Sequence, residues 1–322
     1  MAMDQVPHDM TTPKAFGDFS EIIDGFLDHI QRHNNFDASQ FVPWSILDAA
    51  NHPQPVGWLH CQHLPWLAAN QQLLQPNPTA GDGWQLDPAL NTPAARSDAL
   101  NQLAIQLHQH GLIAHWYEEQ VAVLTDWGQP PLATASRSSI GFLGIKAFGV
   151  HLNAYHGHGG QMQLWMARRA SHLANFPNQY DHLVAGGVAA GDSILGTLIK
   201  EAQEEAGMPM PLSQAAQPVG VIQYHLMRDG YSRQDTVFVY DLAMDRHGAT
   251  NFVPVNEDGH VASFARYPVD EVMQLVAKTD KVKSNVNLVL IDFFLRHGMI
   301  AADNPAFVAL HAGLKGRLQP MD

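Results

Sequence analysis

The sequence predicts an α+β chain built as two domains, and three observations carry that reading. Its 322 residues are 46% hydrophobic, enough apolar side chain for one large core or two medium ones and too much for a disordered chain. Stretches whose apolar residues return at helical spacing alternate with strand-like runs, and there is no internal repeat. The patterning sharpens after residue 140, so the domains are placed at 1–139 and 140–322.

In the first domain, residues 21–32 carry Ile22, Ile23, Phe26, Leu27 and Ile30 at helical spacing, and residues 41–59 read as short extended or irregular pieces. Residues 75–96 are rich in turn formers and read as a long excursion. Ser97 is the expected N-cap of a helix in which Leu100, Leu103, Ala104 and Leu107 form the buried stripe and Gly111 the close. Residues 117–124 then resemble a strand.

In the second domain, residues 150–155 and 163–167 are strand-like, and the HGHGG between them suits a hairpin turn, which makes His156 and His158 turn residues. Gly186, Gly187 and Gly191 precede a helix over 194–206. Strands over 219–226 and 236–242 follow, then helices over 269–276 and 285–296, the last ended by His297-Gly298.

Composition excludes several classes of function. With 18 Lys+Arg against 31 Asp+Glu, the net charge of −13 argues against a nucleic-acid partner. The single cysteine, Cys61, has no partner for an intrachain disulfide or a thiolate zinc site and fits a reducing cytosol. The 19 histidines lack an HExxH frame, and most of them read as surface or cap residues. The N-terminal residues lack a signal-peptide pattern, and the longest apolar run, 140–150, is interrupted by Lys146. The expectation is a soluble cytoplasmic protein with no membrane or nucleic-acid partner; a homodimer is left open.

The chemistry concentrates in residues 186–208, GGVAAGDSILGTLIKEAQEEAGM. Leu195, Leu198, Ile199, Ala202 and Ala206 form an apolar stripe, with Asp192 or Ser193 as N-cap and Gly207 as the C-terminal glycine. Glu201, Glu204 and Glu205 lie at i, i+3 and i+4, so their carboxylates project within one arc beside that stripe. Like charges at this spacing cost a few tenths of a kcal/mol per pair unless solvent or a cation neutralises them. Mg²⁺ suits such a site because it takes hard oxygen ligands, keeps part of its water and bridges to phosphates. Taken alone, ExxEE is also the pattern of a solvated acidic face.

With its flanks, the segment resembles the Nudix box, G-x5-E-x7-R-E-U-x-E-E-x-G-U with U aliphatic. Gly186, Glu201, Glu204, Glu205 and Gly207 match, while Ala202 and Met208 hold apolar positions. Asp192 stands where the pattern has Glu and Lys200 where it has Arg, replacements that keep the charge pair and loosen its geometry. The phrases GIKAFGVHLNAY, MARRAS, DHLVAGG, VYDL, NEDGHVASF and IDFFLRHG extend the likeness over most of the chain, with fainter echoes at Val56-Gly57-Trp58 and Trp116-Tyr117. They are similar to a Nudix branch that carries an N-terminal domain of unknown function. That branch is related to the Nudix part of fungal proteins fused to thiamine pyrophosphokinase.

The resemblance implies a Nudix α/β/α sandwich with a mixed sheet, preceded by a smaller α+β domain. It implies Mg²⁺ or Mn²⁺ held by the Gly186 carbonyl, Glu201, Glu204 and Glu205, the three glutamates being also catalytic, with Asp192, Lys200 and Gly207 shaping the box. The implied reaction is hydrolysis of a small-molecule organic diphosphate, and for this branch of damaged thiamine diphosphate to the monophosphate. ADP-ribose, nucleotide sugars and coenzyme A derivatives remain open as substrates of the same chemistry, and a Nudix-like module that binds without hydrolysing is open too. The general base is undetermined, because His260 stands where relatives have Glu; Glu257 is the nearest acid.

Substrate-binding candidates are read from residue type and position. Arg168 and Arg169 follow a strand, and alternation lets one reach a phosphate while the other points away. Arg228 and Arg233 fall in a predicted loop between strands, and Phe176, Tyr180, Tyr224 and Tyr231 are the aromatics available to stack on a flat heterocycle.

Overall fold

The computed structural model describes residues 19–316 apart from 49, 71, 72 and 78–82. The N-terminal stretch read for a signal peptide, and residues 78–82 of the turn-rich excursion, lie outside the described residues. Among those described, no helix is long and apolar enough to cross a membrane.

The N-terminal part opens with α1 (Phe19–His33), then β1 (Phe41–Leu47), β2 (Pro53–His60), α2 (Leu64–Asn70), β3 (Leu74–Pro76) and β4 (Trp84–Leu86). It continues with α3 (Pro93–Gln109), β5 (Gln120–Val123), β6 (Ala133–Ser136) and α4 (Ile140–Leu143). Four strands form a sheet ordered β2-β1-β4-β3, and β5 and β6 pair as a hairpin. Trp44, Val56, Leu59, Leu100, Leu103, Val123 and Phe142 share one core, and the Trp44 indole N–H donates to the Leu143 carbonyl at 2.7 Å.

Several local expectations change here. Residues 41–59 form an antiparallel pair, Phe41 facing His60 and Leu47 facing Pro53 with a register shift between Trp44 and Ser45, because burial of one face gives these short strands a register. Thr92 rather than Ser97 caps α3: its side chain accepts from the Ala95 N–H, with Pro93 at the first helical position. Ser97 instead lies inside the helix and bonds back to the Pro93 carbonyl. The turn-rich excursion therefore contains β4 and the first turn of α3, while the strand expected from residue 117 begins at Gln120.

The C-terminal part runs β7 (Lys146–His156), β8 (Gln163–Arg169), β9 (Tyr180–His182), β10 (Val184–Gly187), α5 (Ile194–Ala206) and α6 (Met210–Ser213). It continues with β11 (Gln217–Arg228), β12 (Tyr231–Ala243), β13 (Val261–Pro268), α7 (Val269–Lys278), α8 (Ser284–Arg296) and α9 (Phe307–Gly313). Seven strands make one mixed sheet ordered β11-β12-β7-β8-β13, with β10 added to β7 and β9 to β8. β12 runs parallel to β7, and the other pairs are antiparallel.

Alternation along β7 assigns its two faces. Val150, Leu152 and Ala154 join Leu198, Ala202 and Ala206 of α5 in one core. The opposite face of the sheet packs on α7, α8 and α1 in a second core that includes Val237, Val239, Met273, Val289 and Phe293. The result is the expected α/β/α sandwich with a mixed sheet, preceded by a smaller α+β part.

Helix α1 belongs to this second core: Phe26 stacks on Phe294 at 5.6 Å. Gly25 permits the approach, since a Cβ there would stand 2.1 Å from the Ala277 carbonyl oxygen.

Candidate active site

Local chemistry builds α5. The Ser193 hydroxyl caps it by accepting from the Gly196 N–H at 3.0 Å, which settles the choice between Asp192 and Ser193. At the other end Gly207 has φ +58; its N–H bonds to the Gln203 carbonyl and that of Met208 to the Ala202 carbonyl, a left-handed close that glycine adopts without strain. The buried side chains are Thr197, Leu198, Ala202 and Ala206. Leu195, expected in the stripe, is 44% exposed.

That rotation leaves Glu201 and Glu205 half-buried at the margin of the core and Glu204 exposed. Glu201 lies against β10: a Cβ on Gly186 would come within 2.3 Å of its Cδ and 2.5 Å of its Oε1. Glu205 reaches the same strand, where its Oε2 accepts the Ala185 N–H at 2.8 Å. Burial pushes the Glu201 carboxyl up to about 7, with Lys200 and Arg137 pulling it down and Glu204 and Glu119 adding to the rise. Burial likewise drives Glu205 well above the carboxylate range, helped by Asp181 and Glu201. Two hard, under-compensated carboxylates thus converge on one strand edge with a third exposed beside them, a donor set that fits a divalent cation.

The structure also brings in residues that sequence reading missed. Arg137 follows β6, and its guanidinium covers the next residue of the same strand: a Cβ on Gly187 would stand 3.0 Å from its Cζ. It ion-pairs with Glu119 and lies 5.7 Å over the Tyr117 ring. Tyr117 in turn accepts from the Asn175 side chain at 2.6 Å, and the Ala190 N–H of the box loop bonds to the Gln120 carbonyl at 2.8 Å. The available signal was the Gly186-Gly187 pair, since adjacent glycines in a strand mark close approach on both faces.

Other expected site residues are distributed unevenly. Arg169 is spent on structure: it pairs with Asp181 at 3.0 Å and donates to the carbonyls of Asn175 and Phe176, fixing the β8–β9 loop. Arg168 is exposed, 6.0 Å from the Tyr180 ring. Tyr224 is 3% exposed, with its hydroxyl on Asp235 at 2.5 Å and its ring on His33, so it packs in the core instead of stacking on a ligand. Tyr231 donates to the Leu112 carbonyl.

Arg228 pairs with its neighbour Asp229 at the β11–β12 turn. Strand rise puts it about 20 Å from Ile222, whose partner Val237 faces Gly149 and, across β7, Gly187. Arg233 sits within β12 rather than in a loop, bound to Asp235.

Asp192 and Lys200 are exposed, and among the described residues no ion pair joins them. Asp192 lines a cavity of about 280 Å³ with Trp127, Lys146, Phe148 and Val188. His260 pairs with Asp258 at 2.7 Å. Glu257 lies near the end of α5, its N–H on the Glu204 carbonyl at 3.2 Å. His156 is corrected from turn residue to buried strand end. Its Nε2 accepts from Trp165, so its Nδ1 carries the proton donated to Asp245 at 2.8 Å.

A second buried cluster, also unforeseen, holds His151, Asp181 and His182, with potential ligand atoms within 4.8 Å of one another. As built it is a hydrogen-bonded network. The two Nδ1 atoms stand 2.9 Å apart and share one proton, and Asp181 accepts from Arg169, from Lys283 at 2.9 Å and from the His182 N–H. Burial opposes its charge, but Lys283, His151 and Arg169 outweigh that and hold it down at about 2.

The profile of a domain of unknown function, DUF4743, matches residues 25–147, and that of the NUDIX domain matches 148–287. Nudix hydrolase 20, chloroplastic, of Arabidopsis thaliana is 32% identical over 306 residues, covering 92% of this chain and 79% of that protein. Nudix hydrolase 24, chloroplastic, of the same plant is 31% identical over 298 residues with the same coverage. Among solved structures, a C. elegans Ap4A hydrolase aligns over 48% of this chain and 99% of its own at 12% identity, with a TM-score of 0.34. With a NUDIX profile across the sandwich that carries the glutamate helix, and relatives at this identity over nearly its whole length, the chain belongs to the Nudix hydrolase family.

Proposed function

We propose that this Nudix hydrolase cleaves a small organic diphosphate with the help of Mg²⁺ or Mn²⁺ held by Glu201, Glu204, Glu205 and the Gly186 carbonyl. The observation that carries the reading is the convergence of Glu201 and Glu205 on β10, where burial raises both carboxyls and little in the protein compensates them. A bound divalent ion supplies positive charge to the phosphate oxygens and acidifies a water. The chain's own part is to orient: β10 fixes the Glu201 and Glu205 carboxylates, and the cap at Gly207 fixes the helix that bears all three.

In the overall reaction on a substrate that ends in a diphosphate, such as oxythiamine diphosphate, water oxygen bonds to the terminal phosphorus and the bridging P–O bond breaks. Orthophosphate and the organic monophosphate leave, and the water's proton passes to a carboxylate of the cluster before release to solvent. The finer reading is a damaged thiamine diphosphate as substrate, supported by the sequence phrases outside the box. A panel of oxythiamine diphosphate, ADP-ribose, a nucleotide sugar and a coenzyme A derivative, each with Mg²⁺ and with Mn²⁺, tests both levels. Fastest product release from oxythiamine diphosphate is expected. A clear preference for a nucleotide overturns the thiamine reading, and turnover unchanged by chelation overturns the metal reading.

A further inference from the structure

Consecutive strand residues present opposite faces, and Gly186-Gly187 uses both. One face of the pair is covered by the Glu201 carboxylate and the other by the Arg137 guanidinium, each packed where a Cβ would otherwise stand. A carboxylate of the box and an arginine from the N-terminal part therefore meet through the thickness of one backbone strand. Nothing in the box pattern provides for that arginine.

Arg137 is held in place before any ligand arrives. Its own N–H bonds to the Glu119 carbonyl at 2.9 Å, and the turn it opens is closed by the Ser136 hydroxyl accepting from the Ser138 N–H and by the Ser139 hydroxyl donating to the Ser136 carbonyl. Ser136 and Ser139 are both fully buried. The Ser138 hydroxyl accepts the Tyr117 N–H at 2.7 Å, tying the turn to the segment that leads into β5 and carries Glu119. Yet the arginine side chain is 40% exposed, and among the described residues its guanidinium hydrogen-bonds only to Glu119. Guanidinium has five N–H donors in a planar fork, so most of them remain available on a rigid mount.

We propose that Arg137, oriented by Glu119 and Tyr117, binds the phosphate oxygens of the diphosphate substrate, so that the N-terminal part completes the active site with an anion-binding arm. The inference rests on the diphosphate reading above. A planar fork matches two oxygens of one phosphate, and a fixed cation helps to offset the crowding of a polyanion against three glutamates. In a chain of charge −13, such a local cation matters more than the overall field. Glu119 orients the fork and acts as a positioning residue.

The test uses the full chain with Mn²⁺ and inorganic pyrophosphate as the probe, read by calorimetry, beside steady-state kinetics on the best diphosphate of the panel. Arg137→Ala is expected to weaken pyrophosphate binding at least tenfold and to raise KM by a similar factor, with Mn²⁺ affinity, read by electron paramagnetic resonance, within twofold of wild type. Arg137→Lys, which keeps the charge and the Glu119 pair, is expected to recover only part of that loss, and it stands in should the alanine variant fail to fold. Glu119→Gln is expected to raise KM less than Arg137→Ala while leaving kcat in place.

Pyrophosphate binding and KM unchanged in both arginine variants overturn the proposal. The two readings fail separately. A wild type that turns over no diphosphate yet loses pyrophosphate with Arg137 defeats the hydrolase reading and keeps the arm. Turnover with full pyrophosphate affinity in the arginine variants keeps the hydrolase and defeats the arm.

Discussion

Glu205 and Asp181 are buried carboxylates that interact with each other, and their environments drive them in opposite directions. Glu205 is pushed well above the ordinary range by burial, with the Ala185 N–H and, more weakly, Lys283 opposing. Asp181 is held down at about 2 because Lys283 and Arg169 ion-pair with it. The difference separates a site from a strut. A buried charge supplied with its partners has nothing left to bind, whereas one left short of partners awaits a ligand that brings them.

Replacing Glu205 by Gln attacks the unbalanced side, and the expected loss of turnover is on the order of a thousandfold. Thermal unfolding without metal should be unchanged or shifted upward, because an under-compensated buried acid has been removed. Product release and a melting curve check the two halves. Full activity in this variant would break the contrast.

Asp181→Asn attacks the balanced side and should cost stability instead, by about 3 kcal/mol, since it leaves Lys283 and Arg169 without their counter-charge. Urea denaturation reads this, and a loss below about 1 kcal/mol would mean that the network contributes little.

Metal separates the clusters directly. Mn²⁺ at roughly a hundred times its dissociation constant should stabilise the wild type by about 3 kcal/mol. The Asp181→Asn variant should keep that increment, and a Glu201→Gln/Glu205→Gln double variant should lose it. The opposite pattern would place the ion on His151, Asp181 and His182. Chelation should abolish turnover, and added Mg²⁺ or Mn²⁺ should restore it.

The balanced cluster also sets a pH dependence. Burial holds His182 neutral down to about 4, against an ordinary value of 6.5, with Lys283 helping and Asp181 and Asp241 opposing. Between those values the unfolded chain carries the extra proton, so stability is complete above about 6.5 and falls by up to about 3 kcal/mol as the pH drops to 4. Asp181, depressed in the fold, acts in a lower window, holding its contribution above 3.8 and losing it toward pH 2. Urea titrations at pH 7.5 and 4.5 should show the first window in the wild type and a smaller slope in His182→Asn.

Local pattern made α5, its glycine close and the three glutamates legible, because helical spacing and end capping act within a few residues. The same holds for the stripe of α3. Where the outcome depended on distant partners, local reading drifted: Thr92 displaced Ser97 as the cap, and β1 and β2 became an antiparallel pair once a core gave them a face to bury.

By itself the sequence determined which residues carry charge and at what spacing they leave the helix. The tertiary structure alone decided which charges are paired. It gave Asp181 a lysine from the start of α8 and an arginine from β8, left Glu201 and Glu205 under-compensated on β10, and set Arg137 against Gly187. It turned Tyr224 inward onto Asp235. The reason is physical: spacing along a chain fixes direction within an element, but the energy of a charge depends on burial and on neighbours that only the packing of distant segments supplies.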